Sequence, residues 1–159
     1  MQPLPVFLAH AAAAALLFVC HATQAAGDYD PPTPDKLSAA RARIAEKQWA
    51  AAIEALKSVD DTRSAEWNNL MGYSLRKQPT PDYAAAERHY DEALRIDPKH
   101  RGALEYSGEL YLVTGDLPKA EARLAALDKA CLFSCEEYGA LKRAIERYKA
   151  AGNKYVASP

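Results

Sequence analysis

The chain has 159 residues, 49% apolar and 26% charged, with 20 Lys and Arg against 21 Asp and Glu, giving a formal net charge of −1. That length suits one domain with a modest core, and the Ala-rich composition suits an ordinary helical protein. The near-neutral balance leaves no electrostatic basis for a nucleic-acid partner or for adhesion to an anionic membrane surface.

Residues 1–26 read as a signal peptide. Ala11 to Val19 is an unbroken apolar run, too short to span a bilayer and long enough for the apolar segment of a secretory signal. No Lys or Arg precedes Lys36, so only the amino terminus and His10 supply positive charge ahead of it. Thr23-Gln24-Ala25 offers a small-x-small cleavage site that leaves Ala26 or Gly27 at the new terminus. Cys20 raises a second possibility, a lipid anchor, but bulky Phe18 and Val19 stand where small residues normally precede a lipidated cysteine. The expectation is therefore export, to the periplasm or beyond. Residues 27–34 (GDYDPPTP) then form an acidic, proline-rich leader.

A helical domain is expected over residues 35–152. Pro34 fits a first helical turn, with Leu37, Ala40 and Ile44 following at helical spacing. Gln48 marks a turn, and Trp49, Ala52, Ile53 and Leu56 define the apolar stripe of a second helix. Asp60-Asp61-Thr62 closes this hairpin. The next opens near Ala65, with Leu70, Met71 and Leu75 inward and Gly72 at the close helix contact. Pro79-Thr80-Pro81 breaks it, and Asp82 to Ile96 forms its second helix, ended before Pro98. A third hairpin has Leu104, Gly108 and Tyr111, a turn at Gly115-Asp116, and a helix from Leu117 to Lys129. A last helix over 135–150 follows Ser134, which with Glu137 matches a capping box; Tyr138, Leu141, Ile145 and Tyr148 share one face, and Gly152 is its expected C-cap. Residues 153–159 form a short tail.

Four registers recur every 34 residues: Trp49, Tyr83 and Leu117; Ala52, Ala86 and Ala120; Leu56, Tyr90 and Leu124; Val59, Ala93 and Leu127. A fixed interval of this size marks stacked helical hairpins, each too small to bury its apolar face alone. Gly72, Tyr83, Ala86, Tyr90, Ala93 and Pro98 resemble a tetratricopeptide repeat, with Gly108, Tyr111, Gly115-Asp116, Ala120 and Leu124 a second copy. Ala40, Trp49, Ala52 and Leu56 resemble a degenerate first one. The resemblance spans roughly residues 35 to 131 and implies an all-α, right-handed α-solenoid of about three hairpins plus a C-terminal capping helix. Pro79-Thr80 is an insertion relative to the usual turn, so the first-helix markers Ala40, Gly72 and Gly108 drift while the second-helix registers do not.

Signal cleavage would leave two cysteines, Cys131 and Cys135, in an oxidising compartment. Three residues between them, in a turn, can bring their Cα atoms within bridging distance, so a disulfide clasp before the last helix is the expectation. The alternative is a thiol redox or copper-handling pair, since Cys135 would lie near a helix N-terminus and Cys-x3-Cys resembles the thiol pair of copper-delivery proteins. His89 reads as lying on an outward helix face and His100 in a turn, both as solvated surface. No HExxH, GxSxG, P-loop or paired-carboxylate pattern occurs, and no catalysis, metal or cofactor is expected.

Stacking in the manner of that family implies a concave groove lined by the first helix of each hairpin. Its candidates are Arg41, then Asn69, Tyr73 and Arg76, then Glu105 and Glu109. Some family members hold a C-terminal carboxylate with Lys and Asn pairs; Asn69 and Arg76 match that only loosely, and Glu105 and Glu109 oppose an anion. The function implied is that of an exported adaptor or scaffold taking a protein or peptide in this groove.

Overall fold

The computed structural model describes residues 35–133 and 135–156; the expected signal peptide and the whole of the leader, Pro34 included, lie outside these residues, as does Ser134. Among the described residues there are helices and no strand: α1 (Ser38–Ala45), α2 (Trp49–Val59), α3 (Ala65–Lys77), α4 (Tyr83–Ile96), α5 (Arg101–Thr114), α6 (Leu117–Ala130) and α7 (Glu136–Ala150).

Local chemistry sets most of these boundaries. Each helix start leaves backbone N–H groups without a helical acceptor, and at α3, α4, α5 and α6 a side chain one residue earlier takes one of them. Ser64 Oγ accepts from Trp67 N at 3.2 Å, Asp82 from Ala85 N at 2.9 Å, and Asp116 from Lys119 N at 3.1 Å. Gly115, at φ +84°, ends α5 in the left-handed region that an L side chain enters at a cost. At the end of α7, Gly152 N–H bonds to Lys149 O and Asn153 N–H to Tyr148 O, so Gly152 is the left-handed residue beyond an Ala151 cap. Two expected boundaries shift. Cys135, not Ser134, is the N-cap of α7, and α1 begins at Ser38 behind Leu37, not at a proline-led first turn.

The helices pair as α1–α2, α3–α4 and α5–α6, and α7 packs on both α5 and α6. Close backbone contacts also run α1–α3, α3–α5 and α5–α7, whereas α2, α4 and α6 make none with one another. The first helices of the hairpins therefore form an inner row and the second helices an outer one, an α-solenoid with α7 covering its end. Long charged side chains span the wider outer spacing, Lys119 to Glu87 at 3.3 Å and Arg123 to Asp91 at 2.8 Å.

The 34-residue registers map onto burial in part: Trp49, Leu117, Val59 and Leu124 are half-buried and Tyr83 is exposed. Ala52, Ala86 and Ala120 are all fully buried, as are Leu56, Tyr90, Ala93 and Leu127. A cluster on Leu37, Ile53, Leu56, Trp67, Leu70 and Met71 fills the first hairpin, and a larger one around Tyr90, Leu104, Leu110, Leu127 and Leu141 fills the rest; half-buried Leu75 packs on both. Gly72 marks the α3–α4 approach as expected: a Cβ there would lie 2.9 Å from the Tyr90 ring and 3.1 Å from Ala86 O. Gly108 does something else. Its missing Cβ leaves room for Leu141 of α7, 2.5 Å from where that atom would stand, so this glycine serves the capping helix and not the α5–α6 contact.

The Pro79-Thr80 insertion falls between α3 and α4 as anticipated. Asp82 N–H bonds back to Leu75 O at 3.1 Å, which closes the longer turn without disturbing either helix. The face of α7 read as apolar is buried at Leu141, Ile145 and Tyr148 and half-buried at Tyr138; of the polar face, Lys142, Arg143, Glu146 and Lys149 are exposed and Arg147 is half-buried.

Candidate functional site

An aromatic file runs from the first residue of α2 onto the inner-row helices α3 and α5. Trp49 at the start of α2 meets Tyr73 of α3 edge-on at 5.9 Å between ring centroids, and Tyr73 meets Tyr106 of α5 at 4.6 Å. All three are half-buried, so each ring keeps one surface in solvent. Tyr73 and Tyr106 lie 33 residues apart, almost one repeat, so equivalent positions of successive hairpins place their rings side by side.

Arg76 lies beneath these rings. Only 5% exposed, it sits 5.5 Å from the Tyr73 centroid and 5.8 Å from that of Tyr106, and donates to Glu109 at 2.9 Å. Burial alone would lower the guanidinium's pKa, but the Tyr90 hydroxyl and Glu109 outweigh it and hold Arg76 above its ordinary value. A buried cation held by a carboxylate and two ring faces is a floor and not a hand: Arg76 and Glu109 position the tyrosines. Burial raises the Tyr106 hydroxyl to about 12 and also lifts that of Tyr73, so both remain neutral hydrogen-bonding groups. Tyr155, beyond α7, is 39% exposed and within electrostatic reach of Arg76 and Glu109.

The other candidates gather at a cavity of about 500 Å³ that shares Tyr106 with the aromatic file. Arg41, Asn69 and Glu105 line it, joined by Glu66, His100 and Gly102. Glu66 is its best-satisfied carboxylate, with Arg41 at 3.1 Å, Asn69 Nδ2 at 3.1 Å and His100 Nε2 at 3.2 Å. Burial would raise Glu66, but those three partners overcome it and hold the carboxyl below its ordinary value. The six residues expected in the groove thus divide: Tyr73, Arg76 and Glu109 in one cluster, Arg41, Asn69 and Glu105 in the next.

Both histidines differ from expectation. His89 is half-buried, its Nδ1 3.0 Å from Asn68 Oδ1 and its ring edge-on to Trp67 at 5.7 Å. Burial, then Arg88, lowers its pKa, because α4 presses it onto α3 instead of turning it outward. His100 caps α5, with Nδ1 accepting from Ala103 N at 3.1 Å, while Nε2 faces Glu66. Sequence position placed His100 in a turn; that the turn is also a cap was readable only from its spacing before Ala103. Trp49 and Tyr106 were missed as groove residues, although Tyr106 follows Glu105 and is nearly one period beyond Tyr73.

At the far end, Cys131 closes α6 and Cys135 opens α7, bonded to each other with Cα atoms 5.9 Å apart. The loop they close displays Leu132 and Phe133, 93% and 90% exposed. Among the described residues no three His, Cys, Asp or Glu side chains converge as a metal-holding group, and no helix is long and apolar enough to cross a membrane.

Comparison with known proteins agrees with this architecture. Residues 82–145 match the tetratricopeptide repeat model, from the cap of α4 into α7. The chain is also similar to the Yersinia enterocolitica type III secretion chaperone SycD, whose crystal structure is in complex with a peptide of the translocator YopD. That likeness has a TM-score of 0.59 and 17% identity, and covers 73% of this chain and 88% of SycD. No curated protein matches the sequence. Repeat spacing, family model and fold together show tetratricopeptide repeats.

Proposed function

We propose that this tetratricopeptide-repeat solenoid is an exported, non-catalytic adaptor that takes a protein or peptide partner along its inner helix row. The aromatic file carries this reading. Trp49, Tyr73 and Tyr106 offer half-exposed rings in a line, on a floor held by the Arg76–Glu109 pair. Rings with fixed rotamers and polar tips give large contact area at low ordering cost, the usual makeup of a recognition surface. The likeness to SycD, a chaperone whose structure was solved with a bound peptide, supports a polypeptide occupant. Export rests on the apolar N-terminal run and agrees with the bonded Cys131–Cys135 pair.

The test is photo-crosslinking from position 41, on the wall of the adjoining cavity, in intact cells, with the double variant Tyr73→Ala, Tyr106→Ala carrying the same crosslinker as control. The adaptor reading expects crosslinked partners in the exported fraction, and at least tenfold weaker capture by the variant with helicity unchanged. Equal capture by the variant would sink the inner-face model. Arg76 is left alone here, because its removal would strand Glu109 and confound binding with stability.

A further inference from the structure

The cavity beside the aromatic file holds two acceptors that nothing in the described chain satisfies. Asn69 is 4% exposed; its Nδ2 donates to Glu66, while its Oδ1 has no hydrogen-bond partner. The amide cannot be turned to relieve this, since Oδ1 would then face the Glu66 carboxylate. Glu105 is the second. Half-buried on α5, it makes no ion pair or hydrogen bond with any described residue, while the other carboxylates lining the cavity, Glu66, Asp97 and Glu137, each have a partner. Glu66 is held by Arg41 and His100, Glu109 by Arg76, and Glu137 by Arg101 at 3.6 Å. Lys99, also on the cavity wall, is exposed and does not reach Glu105. Gly102 keeps the space above the amide open, because a Cβ there would come within 3.1 Å of Asn69 Nδ2.

A buried acceptor without a donor, as Asn69 Oδ1 is, costs about 1–3 kcal/mol, and the half-buried Glu105 carboxylate, whose oxygens still reach solvent, is favoured by any cation placed beside it. A ligand that brings N–H donors and a positive charge relieves both here. We infer that this cavity is a subsite for a basic side chain, arginine or lysine, of the polypeptide partner, with Glu105 as counter-ion and Asn69 Oδ1 as acceptor. The assignment rests on the inner-face reading above and specifies its partner: a segment with a basic residue next to the one that meets Tyr73 and Tyr106. The Tyr106 ring, shared by cavity and aromatic file, joins the two subsites. About 500 Å³ accommodates a guanidinium and its stem.

The charge environment adds a pH dependence. Burial, then Glu109 and Glu137, and more weakly Glu136, push Glu105 up to about 7, while Arg76 pulls it down. Arg101, on the same wall, is engaged with Glu137. Glu105 is therefore half protonated near neutrality, and a basic side chain binds better as pH rises through 7.

The probe is N-acetyl-arginine methylamide titrated into the full isotope-labelled protein by NMR, with the citrulline analogue as its uncharged match. Saturable shifts are expected at the Asn69, Gly102 and Glu105 amides for the arginine compound. Its Kd should be at least tenfold lower than that of the citrulline compound at pH 8, and the preference should shrink to under threefold at pH 5. In Glu105→Gln the preference should disappear at both pH values while the spectrum elsewhere is preserved. Equal binding of both compounds by the native protein, no binding of either, or an undiminished preference in Glu105→Gln would each overturn the subsite. The inner-face reading fails separately, if arginine amide binds but the tyrosine double variant still captures its protein partners.

Discussion

Replacing Gly108 with alanine tests how the solenoid is capped. In an exposed helix the change would stabilise, because alanine loses less backbone freedom on folding, by about 0.5–1 kcal/mol. Here the new methyl would stand 2.5 Å and 2.8 Å from the two Leu141 Cδ atoms and 3.2 Å from Cγ, where carbon pairs settle near ~3.5–4 Å. Leu141 is fully buried, so α7 itself has to retreat by about 1 Å, and overpacking of this kind costs about 1–3 kcal/mol. The clash wins, and Gly108→Ala should destabilise by about 1–2 kcal/mol in urea denaturation followed by far-ultraviolet circular dichroism. Leu141→Ala alone should cost about 2–5 kcal/mol through the cavity it leaves. In the double variant the methyl added on α5 enters the vacated space, so the losses should fall short of additivity by at least about 1 kcal/mol. A Gly108→Ala protein as stable as the native one, or strictly additive losses, would refute direct α5–α7 packing at this point.

Two further outcomes follow from the same contacts. Because Glu105 is raised to about 7 in the folded state, native protein takes up its proton more readily than the unfolded chain. Stability should therefore fall as pH rises from about 4.5 to 7, and Glu105→Gln should gain about 1–3 kcal/mol at pH 8 and nothing at pH 4; parallel pH profiles would show that the carboxyl is not strained. The Cys131–Cys135 bond closes a loop with a sequence separation of only 4, which restricts the unfolded chain by about 2 kcal/mol at most. Serine at both positions should lower stability by no more than that and leave α7 docked through Leu141, Ile145 and Tyr148. Loss of the α7 amide protection on hydrogen exchange would mean that the bond, and not the apolar face, holds the cap.

The scaffold was legible because its causes are local or periodic. Ala52, Ala86 and Ala120 recur at one interval and all three are fully buried, Ala86 where α4 closely approaches Gly72 of α3. Asp82 and Asp116 announce helix starts because a short carboxylate one residue before a helix reaches a free N–H. The site was less legible. Arg76 was expected to face a ligand and instead lies under two tyrosines, since its partners, Glu109 and Tyr106, come from the next hairpin. His89 was expected in solvent and packs on Trp67 and Asn68, for the same reason that its neighbours are distant in sequence. Both errors came from reading one helix face at a time.

The sequence by itself determined the repeat length, the helices, the Gly72 contact point and the residues available to the inner row. These depend on neighbours within a turn or on a pattern repeated down the chain. The tertiary structure decided which inner-row side chains are buried and which are open. It put the Gly108 gap against α7, made Arg76 a support for the tyrosines, and left Asn69 Oδ1 buried without a partner. Such outcomes depend on how far one hairpin is displaced against the next, a distance summed over many side-chain contacts, so that no local pattern encodes it.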